Sequence, residues 1–145
     1  MQVDPGQRDQ AHLQDMLDSA RQAASYVRGQ TFGQFWDDAK TRDAVAMRLQ
    51  AIGEAADRVS PATAAAVPAL PIHQMRGLRN RIAHTYSKVD FKEVWKVTQQ
   101  DLKPLISELE KYFFQQSQRQ AEAERLKQSP GIRPPRPWDG PRMGM

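Results

Sequence analysis

Eight consecutive residues, Arg79-Asn80-Arg81-Ile82-Ala83-His84-Thr85-Tyr86, bring two arginines, an amide, a histidine and a tyrosine together in an otherwise plain chain. An arginine holds a phosphate through a bidentate fork. A histidine moves a proton near neutral pH. Together they are a minimal kit for cutting RNA without a metal. In that chemistry His84 serves as base or acid for attack of a ribose 2′-OH on the adjacent phosphate. Arg79 stabilises the charge that develops on the phosphate oxygens. Asn80 orients His84 or holds the backbone, and Arg81 adds positive field. No metal and no cofactor are indicated. His12, His73 and His84 lack a ligand spacing with carboxylates. The absence of cysteine excludes disulfides, thiolate zinc sites and a cysteine nucleophile.

The elements that must position these residues are helical. The chain has 145 residues and a net charge of +4, enough for one domain with a real core and compatible with a nucleic-acid partner. No apolar run reaches membrane-spanning length and no signal-peptide core opens the sequence, so the expectation is a soluble, cytoplasmic protein. Residues 1–7 are expected to fray. Leu13, Met16, Leu17, Ala20, Ala24 and Val27 recur at three and four, predicting a first helix over Asp9–Arg28 with Gly29 as its stop. Phe32, Phe35 and Trp36 are expected to pack under the bundle. Val45, Leu49, Ile52, Ala56 and Val59 mark a second helix over Thr41–Val59, with Glu54 and Arg58 spaced for an ion pair. Ser60-Pro61 caps a short turn through Ala66, and Pro71 opens a third helix, Ile72–Ala83. Asp90 and Glu93 form a capping-box variant for a fourth helix to Gln116, kinked at Pro104. The pattern predicts an all-α, up-and-down four-helix bundle.

The domain is read as residues 8–116. Beyond it, 117–145 comprise a polar helical extension and a disordered tail, in which Pro130–Met145 hold five prolines, three arginines and Trp138.

On a helical wheel Ile72, Met75, Leu78 and Ile82 form the core face of the third helix. His73, Gly77, Asn80 and His84 fall on another, spaced four, three and four. A glycine within a helix costs about 1 kcal/mol relative to alanine. Gly77 therefore suggests a close backbone approach, most simply by the same helix of a second subunit, with His73 and Gly77 at the dimer seam. Arg79 points about 140° from His84 on an ideal helix of about 100° per residue. The two converge only if the helix ends or distorts near His84, or if two subunits contribute different members.

The segment resembles the signature of the HEPN superfamily, and more closely the Arg-x4-His-x-Tyr pattern of its HepT-like toxin branch. Arg79, His84 and Tyr86 match residue by residue, with Asn80 at the polar position after the arginine. The flanks resemble the family as well: Thr41–Val45, Ala51–Ala56, Gly77–Arg81 and Asp90–Leu102 with Asp101-Leu102-Lys103-Pro104. Thr85 and Ser87-Lys88 depart from the glycine or aspartate and the aromatic common around the family's tyrosine. The resemblance implies a homodimeric, HEPN-like ribonuclease toxin of a type VII-like toxin–antitoxin pair. It also implies inhibition by an MNT-type nucleotidyltransferase antitoxin that transfers AMP to Tyr86, in a homodimer or larger hetero-oligomer. The alternative is a non-catalytic HEPN module that binds nucleotide, RNA or a protein partner as a dimeric scaffold.

Overall fold

A computed structural model describes residues 5–83 and 88–128. His84 and Tyr86, and the tail from residue 129, lie outside the described residues. The chain divides into two compact units, Met1–Lys111 and Tyr112–Met145. The described residues form eight helices, α1 (Pro5–Val27), α2 (Phe32–Asp37), α3 (Ala39–Arg58), α4 (Pro61–Ala66), α5 (Ile72–Arg76), α6 (Leu78–Ile82), α7 (Phe91–Gln100) and α8 (Leu102–Gln128), and no strand. The all-α expectation holds. The simple four-helix count does not, because the link at Phe32–Asp37 and the turn at Pro61–Ala66 are themselves short helices and the third and fourth predicted helices are each broken in two.

Both breaks have local causes. In the third, the Gly77 amide bonds back to the Gln74 carbonyl at 3.1 Å, a tightened turn that separates α5 from α6. In the fourth, Asp101 closes α7 with its amide on the Val97 carbonyl, and α8 restarts at Leu102. Pro104 then sits in the first turn of a new helix, where its missing N–H breaks no helical bond. What a continuous helix would show as a kink is here a break three residues upstream.

α3 is the hub of the first unit, packing against α1, α2, α5, α6 and α7. Leu13, Met16, Leu17 and Ala20 of α1 are buried, as are Val45, Leu49, Ile52 and Ala56 of α3. The predicted three-and-four stripes are the core faces, except that in α1 Ala23 is buried where Ala24 is expected. Gly29 adopts φ +78°, the left-handed conformation expected of a helix stop. α1 begins earlier than expected, at Pro5. Glu54 and Arg58 make no ion pair with one another. α2 is set by a capping box between Thr31 and Gln34. Of the three aromatics around it, Phe35 is buried, but Phe32 and Trp36 are 38% and 43% exposed, so only one packs under the bundle. A helix of six residues can turn just one narrow face inward. α8 continues as a helix to Gln128, as the polar-arm reading anticipated.

Two polar devices fasten the short helices. Arg76 on α5 donates through Nε to the Ala56 carbonyl at 3.1 Å and through Nη2 to the Val59 carbonyl at 2.8 Å, closing the C-terminal end of α3. Asp9 on α1 is 5% exposed. Its carboxylate accepts from the Ser60 amide at 3.0 Å, the Ser60 hydroxyl at 2.6 Å and the Thr63 hydroxyl. Burial acts to raise the Asp9 pKa, but these hydrogen bonds outweigh it and hold the carboxyl below its ordinary value. A depressed folded-state pKa gives stability that is present above the unfolded value and lost as pH falls through the folded one. Asp9→Ala is expected to cost about 2–3 kcal/mol at pH 7, because charge-assisted bonds are lost and their donors left bare. Thermal melts of both proteins should show the gap closing as pH falls below about 4, the unfolded aspartate range. A gap that is constant with pH would refute the charged staple.

Candidate active site

α6 is five residues long and turns Leu78 and Ile82 into the core. The intervening Arg79, Asn80 and Arg81 are exposed. The two arginines are in different electrostatic circumstances. Arg81 donates through Nη1 to Asp101 Oδ2 at 2.7 Å and through Nε to Glu93 Oε2 at 3.2 Å. Glu93 also takes Lys96 at 3.3 Å. Burial acts to lower the Arg81 pKa, but the bonds and charges of Asp101 and Glu93 outweigh it and hold the guanidinium above its ordinary value. The Arg81 hydrogen bond, with that of Lys96, pulls Glu93 below the usual carboxylate value. Arg81 therefore ties α6 to α7 and to the α7–α8 break. Arg79 has no hydrogen-bond or ion-pair partner among the described residues. Of the two cations, Arg79 is the one whose fork is available to an anion.

α6 ends at Ile82. Ala83 is extended, with φ −75° and ψ 135°, and forms an isolated antiparallel bridge with Val89. The Asp90 amide donates to the Ile82 carbonyl at 2.6 Å. Asp90 Oδ1 then accepts from the Lys92 and Glu93 amides and caps α7. The chain carrying positions 84–88 thus leaves and returns at one point on the molecule. Regular helix stops before position 84, so the wheel that put His84 on the Asn80 face does not apply there. One of the two conditions for Arg79 and His84 to converge, a helix ending near His84, is met by the described backbone.

The dimer-seam candidates are open to solvent. His73 and Gly77 are exposed and, with Gln74, Met75, Arg81 and Asp101, line a concavity of about 400 Å³. A Cβ on Gly77 would meet only the Gln74 carbonyl, at 3.4 Å. A close backbone approach within the chain occurs at Gly53 on α3, where a Cβ would lie 3.4 Å from the Met75 carbonyl, 3.7 Å from the Arg79 amide and 3.8 Å from Leu78 Cβ. Gly53 lets α3 lie directly under the α5–α6 junction and so sets the height of Arg79. The sequence carries the same signal for it as for Gly77, a glycine inside an apolar helical stripe. Arg76, Glu93 and Asp101 were also missed, since their roles depend on contacts 12 to 20 residues away.

Among the described residues no group of histidines and carboxylates is arranged to hold a metal ion. No described helix is long and apolar enough to cross a membrane. A family model described as HepT-like, "Ribonuclease HepT-like", matches residues 16–112. The chain belongs to the HepT-like ribonuclease family. A protein of Methanocaldococcus jannaschii named "Putative RNase MJ1380" is 30% identical over 100 residues, covering 69% of this chain and 92% of that relative. "Probable ribonuclease HepT" of Thermococcus cleftensis is 29% identical over 100 residues, covering 69% and 91%. No solved structure matches the chain. The HepT-like span takes in α2 through α7, and with them Gly53, Arg79 and the Arg81 clamp.

Proposed function

We propose that this HepT-like chain is a metal-independent endoribonuclease toxin, with residues 8–116 as the active domain. The observation that carries the reading is the exposed Arg79 on the last turn of α6, which has no hydrogen-bond or ion-pair partner among the described residues, in a chain that leaves the helix just before His84. The naming of its relatives as ribonucleases supports it. His84 removes the proton of a ribose 2′-OH, and the freed oxygen bonds to the adjacent phosphorus. The 5′-oxygen departs with a proton, leaving a 2′,3′-cyclic phosphate and a 5′-hydroxyl. Arg79 neutralises the charge gathering on the non-bridging oxygens. Asn80 orients His84, and Arg81 keeps α6 fixed to α7 while adding positive field.

Two subunits meet across the exposed His73–Gly77 edge. A nucleotidyltransferase antitoxin silences the enzyme in the cytoplasm by adding AMP to Tyr86. The purified protein, incubated with single-stranded RNA in excess EDTA, is expected to cleave at its full rate and to release fragments with 2′,3′-cyclic phosphate ends, read by mass spectrometry. Cleavage abolished by EDTA, or fragments with 5′-phosphate and free 3′-OH ends, would overturn the mechanism.

A further inference from the structure

A second feature lies where the chain returns to α7. Trp36 of α2 stands 5.7 Å from Phe32, centroid to centroid, and Phe32 is 5.9 Å from Trp95 of α7. Trp95 in turn packs at 5.1 Å on buried Phe35, which anchors the group to the core. Arg42 of α3 places its guanidinium 4.8 Å from the Phe91 ring and 5.8 Å from the Trp36 ring. The result is a supported cluster of tilted and edge-on rings whose outer members, Trp36 and Phe32, face solvent. Two large aromatics left open on a chain with so few of them are not needed for the core, which Phe35 already fills at this point.

Trp36 also forms one wall of a concavity of about 440 Å³ completed by Val89, Asp90, Phe91 and Lys92. That size is within the range of about 300–1,000 Å³ that small-molecule sites occupy. Val89 is the residue bridged to Ala83, so the concavity borders the point at which the segment holding His84 returns to the fold. Arg42 and Lys92 make no ion pair among the described residues, and Arg42 Nε is buried without a hydrogen-bond partner there. Lys88 is exposed at the same approach. The one acid in the wall, Asp90, has an oxygen engaged in capping α7.

A flat exposed ring, cations with no ion pair among the described residues, and a position beside the proposed cleavage segment match what single-stranded RNA presents. Unpaired bases stack on aromatic or guanidinium planes while the backbone follows positive charge. We propose that Trp36 is a nucleobase-stacking platform that receives a base of single-stranded RNA flanking the scissile phosphate, with Lys92 and Arg42 facing the adjoining backbone. The platform extends the ribonuclease reading and rests on it for its substrate. It would favour single strands, since a paired base cannot reach a ring in such a concavity.

The test measures binding separately from cleavage. Full-length protein carrying His84→Ala is titrated with a fluorescent oligoadenylate and followed by anisotropy. Adding Trp36→Ala is expected to weaken binding about 5- to 100-fold, the usual range for loss of one stacked base. Trp36→Phe should recover most of it. An oligonucleotide of abasic sites should bind both proteins equally. Equal oligoadenylate affinities with and without Trp36, or the same loss on the abasic strand, would overturn the platform. A fall in oligomeric state on sedimentation of Trp36→Ala would overturn it too, because the ring would then be a subunit contact. Trp36→Phe, which keeps an aromatic ring, guards against a variant that merely misfolds. The ribonuclease reading fails on a different result, namely no cleavage by protein with His84 intact. Base-dependent binding through Trp36 would survive that failure.

Discussion

His84→Ala is expected to lower RNA cleavage by about 10²–10⁴-fold, the usual contribution of a positioned acid or base. Arg79→Ala should cost about 10²–10³-fold, as removal of one preorganised donor does at a developing oxyanion. Arg79→Ala should not move the melting temperature appreciably, because the side chain is exposed and has no partner among the described residues. Arg79→Lys should recover only part of the rate, because an ammonium supplies a point charge without the planar fork. Arg81 provides the contrast. Its guanidinium is held by Asp101 and Glu93, so Arg81→Ala should loosen the seat of α6 and lower both stability and rate. The stability loss should stay at about 1 kcal/mol or less per pair, given the partly exposed setting. Cleavage rates and melts on the four variants check this. Undiminished cleavage by His84→Ala, or a larger rate loss at Arg81 than at Arg79, would reverse the assignment of roles.

The distinction between Arg79 and Arg81 could not be read from sequence, because it depends on acids 12 and 20 residues further along. What could be read was periodic. The stripes of α1 and α3 are one-dimensional records of burial, and most of the buried residues follow them. Breaks were harder to place. Gly77 and Pro104 were each recognised as disturbances, but the continuous wheel through position 84 assumed that a periodic stretch is one helix. Ile72 and Met75 of α5 keep their period with Leu78 and Ile82 of α6 across Gly77 because both short helices pack on the same hub, α3. Periodicity reports the shared core, not the continuity of the backbone. The same limit hid Gly53, whose meaning lies in what crosses above it. In Phe32 and Trp36 hydrophobicity does not report burial, because large apolar side chains are also left outside where a surface has a use for them.

Tyr86 is expected to be the point at which this chemistry is turned off. In AMP transfer the tyrosine oxygen bonds to the α-phosphorus of ATP and pyrophosphate departs. The new phosphodiester carries a negative charge two residues from His84 in sequence. The described backbone makes such a charge consequential. The chain that bears Tyr86 begins and ends at the Ala83–Val89 bridge, directly after α6, while Arg79 has no acid of its own among the described residues. A tethered phosphate would compete for that arginine at a high effective concentration, which a free RNA phosphate does not have. If occupation of Arg79 is how the adduct works, modification should cost about as much as losing the arginine, some 10²–10³-fold in cleavage. On Arg79→Ala it should cost little more, since the two changes act on the same interaction and are not additive. Co-expression with a nucleotidyltransferase encoded beside this chain should give protein heavier by one or more adenylates, with the first on Tyr86. Tyr86→Phe should stay unmodified and continue to cleave in its presence. A modified protein that keeps its full rate, or a modified Arg79→Ala that loses a further hundredfold, would separate the adduct from the arginine and locate the block elsewhere in the cleft.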